Sequence, residues 1–349
     1  MLNRITDAPI LPNRCCTQPI LGRVHHSDWL NNCLPDKSVQ LIIADPPYFE
    51  VKGSFDFVWK SFDEYLKDVE KWAIECKRLL ADNGTLFWYG HAKKIAYAQV
   101  IFDKYFNLIN NLVWNKGSFM GLEESEGLRS FAPCTERILM YANKNEHWDT
   151  EISLMHEDQN NFKSIKEYLW SETEALKMTW KEINRDLLGT TFEGGGGMAY
   201  NMLSRTRTRW DFPDKENYCK LQKSGRFQKP YEELRKEYEE LRKEYEELRR
   251  PFNNVFKLQE VLNFPNEATK TGSKYAHDTV KPETLTRALI LTCSRKNDLV
   301  LVPFAGSGTE VAMAIKEGRQ AIGFDVEEKY CQMSNDRIKK ILSAPELFG

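Results

Sequence analysis

Asp45 is followed by two prolines and a tyrosine, and the four residues close a run of branched apolar side chains in "LIIADPPYFE", residues 41–50. The apolar run predicts a buried strand, which puts Asp45 at the strand's carboxyl end, where open α/β sheets bind ligands. Pro46 and Pro47 fix their own φ and remove two N–H donors. What remains is a rigid, acceptor-rich corner made of the Asp45 carboxylate and the Pro46 carbonyl. Two acceptors held together suit an –NH₂ group, which has two hydrogens to donate. Tyr48 adds a ring face on which a planar heterocycle can stack. An amino group on a base is a weak nucleophile, because its lone pair is delocalised into the ring. Acceptors that draw on both hydrogens release that pair in the transition state. Read alone, the tetrapeptide also fits a Pro-Pro turn that buries a tyrosine.

A second special corner lies far along the chain, in "LVPFAGSGTE", residues 301–310. Gly306 and Gly308 let a strand turn tightly into a helix and let a ligand approach the backbone. A ligand there meets free N–H groups at a helix start. Asp325 ends the next predicted strand, 17 residues beyond Gly308. An acid so placed commonly takes ribose hydroxyls. A lone G-x-G is weak, but strand, loop, helix, strand and acid follow in the right order for a nucleoside. The Gly-Lys-Ser/Thr ending of a phosphate loop is missing, and so is the third glycine of a dinucleotide loop.

These corners need a sheet to hold them. Strands are predicted at 39–45, 85–90, 108–116, 136–143, 298–304 and 320–325, and helices at 62–84, 91–106, 281–294, 309–318 and from the last strand to about 342. In the first helix Tyr65, Val69, Trp72, Ala73, Cys76, Leu79 and Leu80 recur at spacings of 3 and 4, and Asn83-Gly84 is its expected stop. Alternating strands and helices imply an α/β protein, a Rossmann-like, mostly parallel sheet with helices on both faces.

The chain has 349 residues, 41% of them apolar, and a net charge of −2, so any anion-binding face must be local. Its eight cysteines are scattered, with Cys15 and Cys16 adjacent and no C-x-x-C pair. That pattern fits reduced thiols better than a disulfide framework or a zinc site. His25-His26 and His277 are too isolated for a metal, so none is expected. No signal peptide and no membrane span are expected, since no apolar run approaches about 18 residues. Glu136, at a strand start, reads as structural or as a partner to a functional group.

Together the two corners resemble the S-adenosylmethionine-dependent DNA amino-methyltransferases. The resemblance covers about 19–143 and 272–342. Asp45-Pro46-Pro47-Tyr48 matches the family's catalytic motif, and Phe304-Ala305-Gly306-Ser307-Gly308, followed by Thr309, matches its cofactor motif. The order, catalytic motif first, is that of the β class. The resemblance implies that Asp28 meets the cofactor adenine, that Asp325 meets the ribose, that Thr279, Lys281 and Pro282 line the methionine end, and that Asp45 lies against the cofactor as well as the base. Asp at the first motif position is usual for adenine N6 enzymes, Ser for cytosine N4 enzymes. Two departures stand out: Val302 replaces an Asp ahead of Pro-Phe, and Phe49 replaces an Asn, where it is expected to add a second wall for the base.

The implied activity is methyl transfer from S-adenosylmethionine to adenine N6 in double-stranded DNA, with the base flipped from the helix. Cytosine N4 is the alternative. A DNA-binding regulator without turnover is a third reading, supported only by Val302. RNA and protein methyltransferases usually carry the glycine motif first, which counts against them. The resemblance admits a homodimer and a cognate restriction endonuclease as partners without deciding either, and implies a cytoplasmic protein of a bacterium, archaeon or phage.

The expected division is a catalytic half at 17–149, an inserted, mainly helical or irregular target recognition region at 150–271, and a cofactor half at 272–343. Within 201–230, four Arg and four Lys stand against Asp211, Asp214 and Glu216, a net +5. Arg205, Arg207, Arg209, Trp210, Lys220, Lys223 and Arg226, with Tyr218 nearby, are the expected DNA contacts. The repeat "YEELRKE" from 231 to 250 forms a heptad seam of Tyr231, Leu234, Tyr238, Leu241, Tyr245 and Leu248. It predicts one helix of about 30 Å between Pro230 and Pro251.

Overall fold

The computed structural model describes residues 20–51, 56, 58–117, 129, 131, 133–144, 162–191, 196–205, 210–265 and 280–343. In chain order its elements are β1 Arg23–His26, β2 Val39–Ala44, α1 Phe62–Leu79, β3 Leu80–Gly90, α2 Ile95–Phe102, β4 Phe106–Asn115 and β5 Thr135–Asn143. Next come α3 Lys163–Leu176, α4 Trp180–Glu182 running on as a π-turn over Ile183–Leu188, α5 Gly197–Leu203, α6 Lys215–Gln222 and α7 Tyr231–Leu248. Then follow β6 Val261–Asn263, α8 Glu283–Cys293, β7 Leu299–Val302, α9 Thr309–Lys316, β8 Gln320–Asp325 and α10 Glu328–Ser343. The chain divides into two compact units, residues 1–146 with 250–349, and residues 147–249.

The first unit is built on one mixed sheet of eight strands in the order β1-β8-β7-β2-β3-β5-β4-β6. From β1 to β3 every neighbour is parallel, and β5 enters antiparallel to both β3 and β4. β2 lies between β7 and β3, and five of its six residues are buried. That is why its sequence is a continuous apolar run and not an alternating one. Ile42, Ala44 and Trp88 turn to a core shared with Val69 and Trp72 of α1 and Phe102 of α2. Leu41, Ile43 and Phe87 turn to the opposite core, with Leu289 of α8, Val311 of α9 and Ile338 of α10. Helices therefore cover both faces, as the alternation of elements predicts.

Helix α1 starts on Ser61, whose hydroxyl accepts from the Glu64 amide at 3.2 Å, and carries Asp63 and Glu64 in its first turn and Lys77 and Arg78 in its last. It ends at Leu79, five residues before the expected Gly84 stop. Leu80 is already a strand residue paired with Val39, so sheet pairing outweighs the local stop signal. Cys76, Cys134, Cys219, Cys293 and Cys331 are free, whereas Cys33 is disulfide-bonded, a departure from the expectation of thiols throughout. Among the described residues no helix is long and apolar enough to cross a membrane.

The second unit is helical among its described residues. Ile165, Leu169, Ile183, Tyr218, Leu221, Phe227 and Leu234 form its core. Helix α7 is the heptad segment. Leu234 is buried, Tyr238 and Leu241 pack on the core, and Leu248 at its far end is exposed. Among its i,i+4 ion pairs are Arg235–Glu239 and Lys236–Glu240, in which the base precedes the acid.

Candidate active site

Because β1, β8, β7, β2 and β3 are parallel, the residues that follow them all leave one edge of the sheet. Asp28 follows β1, Asp325 ends β8, Phe304–Gly308 follow β7 and Asp45 follows β2. Ile42 pairs with Leu301, and Asp45 and Phe304 each stand three residues further on. The two predicted corners are thus neighbours by register. The β4–β5 pair reaches the same edge, since Gly90 pairs with Arg137, and Trp114 with Glu136. That pairing delivers Lys116 and Glu136 to the site.

A chain of charges runs through it. The Lys281 ammonium, 5% exposed, lies 2.7 Å from Asp45 Oδ2 and 3.3 Å from Glu136 Oε2. Lys116 holds the other Glu136 oxygen at 2.9 Å. The Lys281 Nζ also sits 4.9 Å from the Tyr89 ring centre and 5.5 Å from that of Trp114, within cation–π range. Burial disfavours its charge, but Asp45 and Glu136 outweigh burial and hold the ammonium above the ordinary lysine value. Burial likewise works against an ionised Glu136, and Lys281 and Lys116 reverse it, so that its carboxyl lies below the usual range.

The Asp45 loop is fixed by side chains from elsewhere. The Tyr48 hydroxyl donates to Asp45 Oδ1 at 2.6 Å. The Tyr48 amide donates to Asp56 Oδ1 at 2.5 Å, and Asp56 is 1% exposed. Lys94 donates to the Phe49 carbonyl and lies over the Phe49 ring. Burial first, then the Asp45 charge, pushes the Tyr48 phenol well above its usual value, so it is a hydrogen-bond donor at neutral pH. Phe49 does not form the expected second wall. It is buried, with its ring against Phe62 and Tyr65, and belongs to the core.

The glycine loop is fixed by its own backbone. Gly306 has φ +48° and Gly308 φ +71°, the left-handed region. A Cβ on Gly308 would stand 2.6 Å from Ser334 Cβ, and the Ser334 hydroxyl donates to the Gly306 carbonyl at 2.9 Å. Asp325 accepts from the Gly306 amide at 2.8 Å and from the Glu327 amide at 2.9 Å. Burial raises its carboxyl above the ordinary value, against the pull of these amides. Phe304 meets Trp29, Trp72 and Trp88 edge to face. Ser307 and Thr309 share a hydrogen bond of 3.0 Å, and Ala305 donates to the Phe324 carbonyl at 2.8 Å. Asp28 is exposed and caps a short 3₁₀ turn, accepting from the Leu30 amide at 2.9 Å. Ser27 bonds the Asp325 carbonyl, which keeps Asp28 beside β8. Pro282 caps α8, and Val302, 1% exposed, is a core residue. Thr279 lies outside the described residues.

Sequence reasoning missed two participants, Lys116 and Glu310, and named Glu136 as structural or a partner to a functional group without saying to which. Strand pairing brings Lys116 and Glu136 to the site, and Glu310 reads in the sequence as an ordinary helix residue. Glu310 is 5% exposed, its Oε1 is buried without a hydrogen-bond partner, and so is the Tyr89 hydroxyl.

In the second unit, Arg207 and Arg209 lie outside the described residues. Arg205 is exposed with its guanidinium 5.4 Å from the Trp170 ring centre. Lys223 and Arg226 are exposed, and Lys220 is paired with Glu216 at 2.8 Å. Trp210 and Tyr218 serve the unit's interior instead. Trp210 donates to the Met202 carbonyl at 2.7 Å and packs on Phe162 and Tyr238, and Tyr218 is fully buried. An aromatic beside a basic run looks like a base-stacking group, and here packing claims both.

A mixed sheet with an acidic corner and a glycine corner side by side at its carboxyl edge is a methyltransferase core. A family model described as DNA methylase (N6_N4_Mtase) matches residues 39–336, and the chain belongs to that family. The type II methyltransferase M.HinfI of Haemophilus influenzae is 25% identical over 330 residues, 89% of this chain and 66% of that protein. The chain thus spans just under two thirds of the length of that relative. The DNA adenine methyltransferase YhdJ of Escherichia coli is 24% identical over 310 residues, 87% of this chain and 78% of that protein. Among solved structures, the PvuII DNA methyltransferase (cytosine-N4-specific) has a similar fold, with a TM-score of 0.50 at 13% identity over 93% of this chain and 91% of that one.

Proposed function

We propose that the protein transfers a methyl group from S-adenosylmethionine to adenine N6 in double-stranded DNA. The observation that carries this reading is the Asp45 corner, whose carboxylate is aimed by Tyr48 and Lys281 from two sides. The choice of adenine is supported by Asp, not Ser, at the first motif position, and by the adenine enzyme YhdJ among the relatives.

The residues present fit the cofactor. Gly306 and Gly308 hold the loop backbone in the left-handed region, and Ser334 leaves no room for a Cβ on Gly308, so the loop keeps the bare, tightly turned backbone that a nucleoside can approach. Asp325 keeps lone pairs for ribose hydroxyls beyond the two amides it accepts, and Asp28 stands exposed beside it for the adenine. When bound, S-adenosylmethionine supplies a methyl group already activated on a sulfonium. Lys281 is committed to Asp45 and Glu136, so its part is to position Asp45.

The protein's own contribution is placement and acceptance. Each Asp45 oxygen takes one donor from the protein and keeps a further lone pair for an amine hydrogen. The Pro46 carbonyl is the second acceptor. Drawing on both hydrogens returns the amine lone pair to nitrogen as the new bond forms. Tyr48, with its hydroxyl tied to Asp45, presents a fixed ring on which a flipped base stacks, worth about 1–3 kcal/mol and comparable to the cost of flipping. Exposed Arg205, Lys223 and Arg226 of the second unit contact DNA phosphates.

The test is transfer of labelled methyl to DNA, followed by digestion to nucleosides. Label in N6-methyladenine is expected. Label in N4-methylcytosine alone would replace the base assignment, and label in no base would overturn the activity.

A further inference from the structure

The glycine loop is followed by an acid that neither corner uses. Glu310 is the second residue of α9, 5% exposed, with Oε1 buried and lacking a hydrogen-bond partner. The groups coupled to it electrostatically come from four other elements: Asp45 at the end of β2, Tyr89 in β3, Lys281 before α8, and Arg337 in α10. The two cations among them are committed elsewhere. Lys281 serves Asp45 and Glu136. Arg337 pairs with Glu283 at 2.5 Å and donates to the Thr309 hydroxyl at 2.8 Å. The phenol of Tyr89, itself without a partner, adds no charge.

A buried carboxyl whose only donor is its own amide, with one oxygen unpartnered and no counter-ion paired to it, is costly, and a ligand that brings positive charge removes the cost. We propose that the Glu310 carboxylate is the counter-ion for the positive charge of the bound cofactor. The inference rests on the reading of the chain as an S-adenosylmethionine-dependent enzyme. S-adenosylmethionine has two cationic groups, a sulfonium and an α-ammonium, and S-adenosylhomocysteine keeps only the ammonium. The place of Glu310 suits the role, two residues past Gly308 and electrostatically coupled to Asp45. Burial pushes its carboxyl up to about 7, with Asp45 adding to the rise and its own amide, Lys281 and Arg337 opposing it. Near neutral pH the ligand-free group is therefore part-protonated, and a cation beside it drives the proton off.

The experiment is calorimetric titration of the full chain with S-adenosylmethionine and with S-adenosylhomocysteine, for the wild type, Glu310→Gln and Glu310→Asp. Thermal melting in the absence of ligand checks that each variant folds. For the wild type, S-adenosylmethionine should bind about tenfold more tightly at about pH 8 than at about pH 6, with proton release. Glu310→Gln should weaken binding about tenfold or more and abolish the pH dependence, and Glu310→Asp should retain it. Selective weakening of S-adenosylmethionine assigns the carboxylate to the sulfonium, and equal weakening of both ligands assigns it to the α-ammonium. A folded Glu310→Gln that binds both ligands within about twofold of the wild type overturns the proposal. A flat pH profile of the wild type also overturns it, with no substitution needed. A wild type that binds neither ligand at any pH is a different failure, that of the cofactor reading itself.

Discussion

The two corners of the site are held by opposite means. The Asp45 corner is rigid because distant side chains grip it: Lys281, Asp56 and Lys94 all reach in from other segments. The glycine corner is rigid because its own backbone is wound into a shape that only glycine adopts freely, and Asp325 and Ser334 latch it. One is set by charge and the other by volume. The two should therefore fail differently, the first when a charge is removed or titrated, the second when a methyl group is added.

The largest effect is expected from Lys281→Met, which keeps the bulk and deletes the charge. It removes the only ion pair of Asp45 among the described residues and one of the two lysines on Glu136 in a largely buried site, at a cost of about 3–5 kcal/mol of stability, and methyl transfer should fall below detection. Urea unfolding should show the loss, and a variant within about 1 kcal/mol of the wild type would break the contrast. Acid sharpens it. The Glu136 carboxyl is depressed below its ordinary value of 4.5, so its stabilising contribution is complete above that pH and disappears as pH falls through the lowered folded value. In Lys281→Met this part of the acid limb of the stability profile should flatten.

Next in size is Gly308→Ala. A side chain at φ +71° is strained, and its Cβ would strike Ser334, at a cost of about 1–3 kcal/mol. The loss should appear chiefly as weaker cofactor binding, with no change in the acid limb. Smallest is Tyr48→Phe, which keeps the ring and removes the 2.6 Å bond to Asp45. A loss of about 1 kcal/mol, or roughly fivefold in kcat, is expected, with base flipping by 2-aminopurine fluorescence unchanged. A collapse of flipping would show that the ring, and not the carboxylate, depends on the hydroxyl.

How much of this was legible in the sequence follows from how each corner is held. The turn of the glycine corner is local, so "PFAGSGT" and the strand-helix pattern around it announce it, though not the Ser334 latch from α10. Asp45-Pro46-Pro47-Tyr48 announces its own chemistry but not its supports. Lys281 lies 145 residues from Glu136 in the chain, and Glu136 reaches the site only because β5 pairs antiparallel with β3 and β4. Glu310 carries no signal, because a carboxyl in the first turn of a helix is ordinary until its burial is known. The error at the end of α1 has the same root. Asn83-Gly84 is a sound local stop, overruled by a strand pairing that no local pattern encodes. Phe49 and Trp210 look ligand-facing in the sequence because aromatics beside functional residues look available. Core packing, which depends on the whole fold, had already claimed them.

The pairing of β2 with β7, at Leu41 with Val300 and Ile42 with Leu301, is what aligns the two corners of the site. The two corners share no loop and no turn. Their spacing is a count of hydrogen-bonded rungs. A slip of one rung would displace one corner by about 3.3 Å along the strand and turn its side chains to the wrong face. A slip of two would restore the faces and leave the corners about 6.6 Å out of line. Positioning at this site is therefore digital, and the residues that keep count are the apolar ones of β2 and β7.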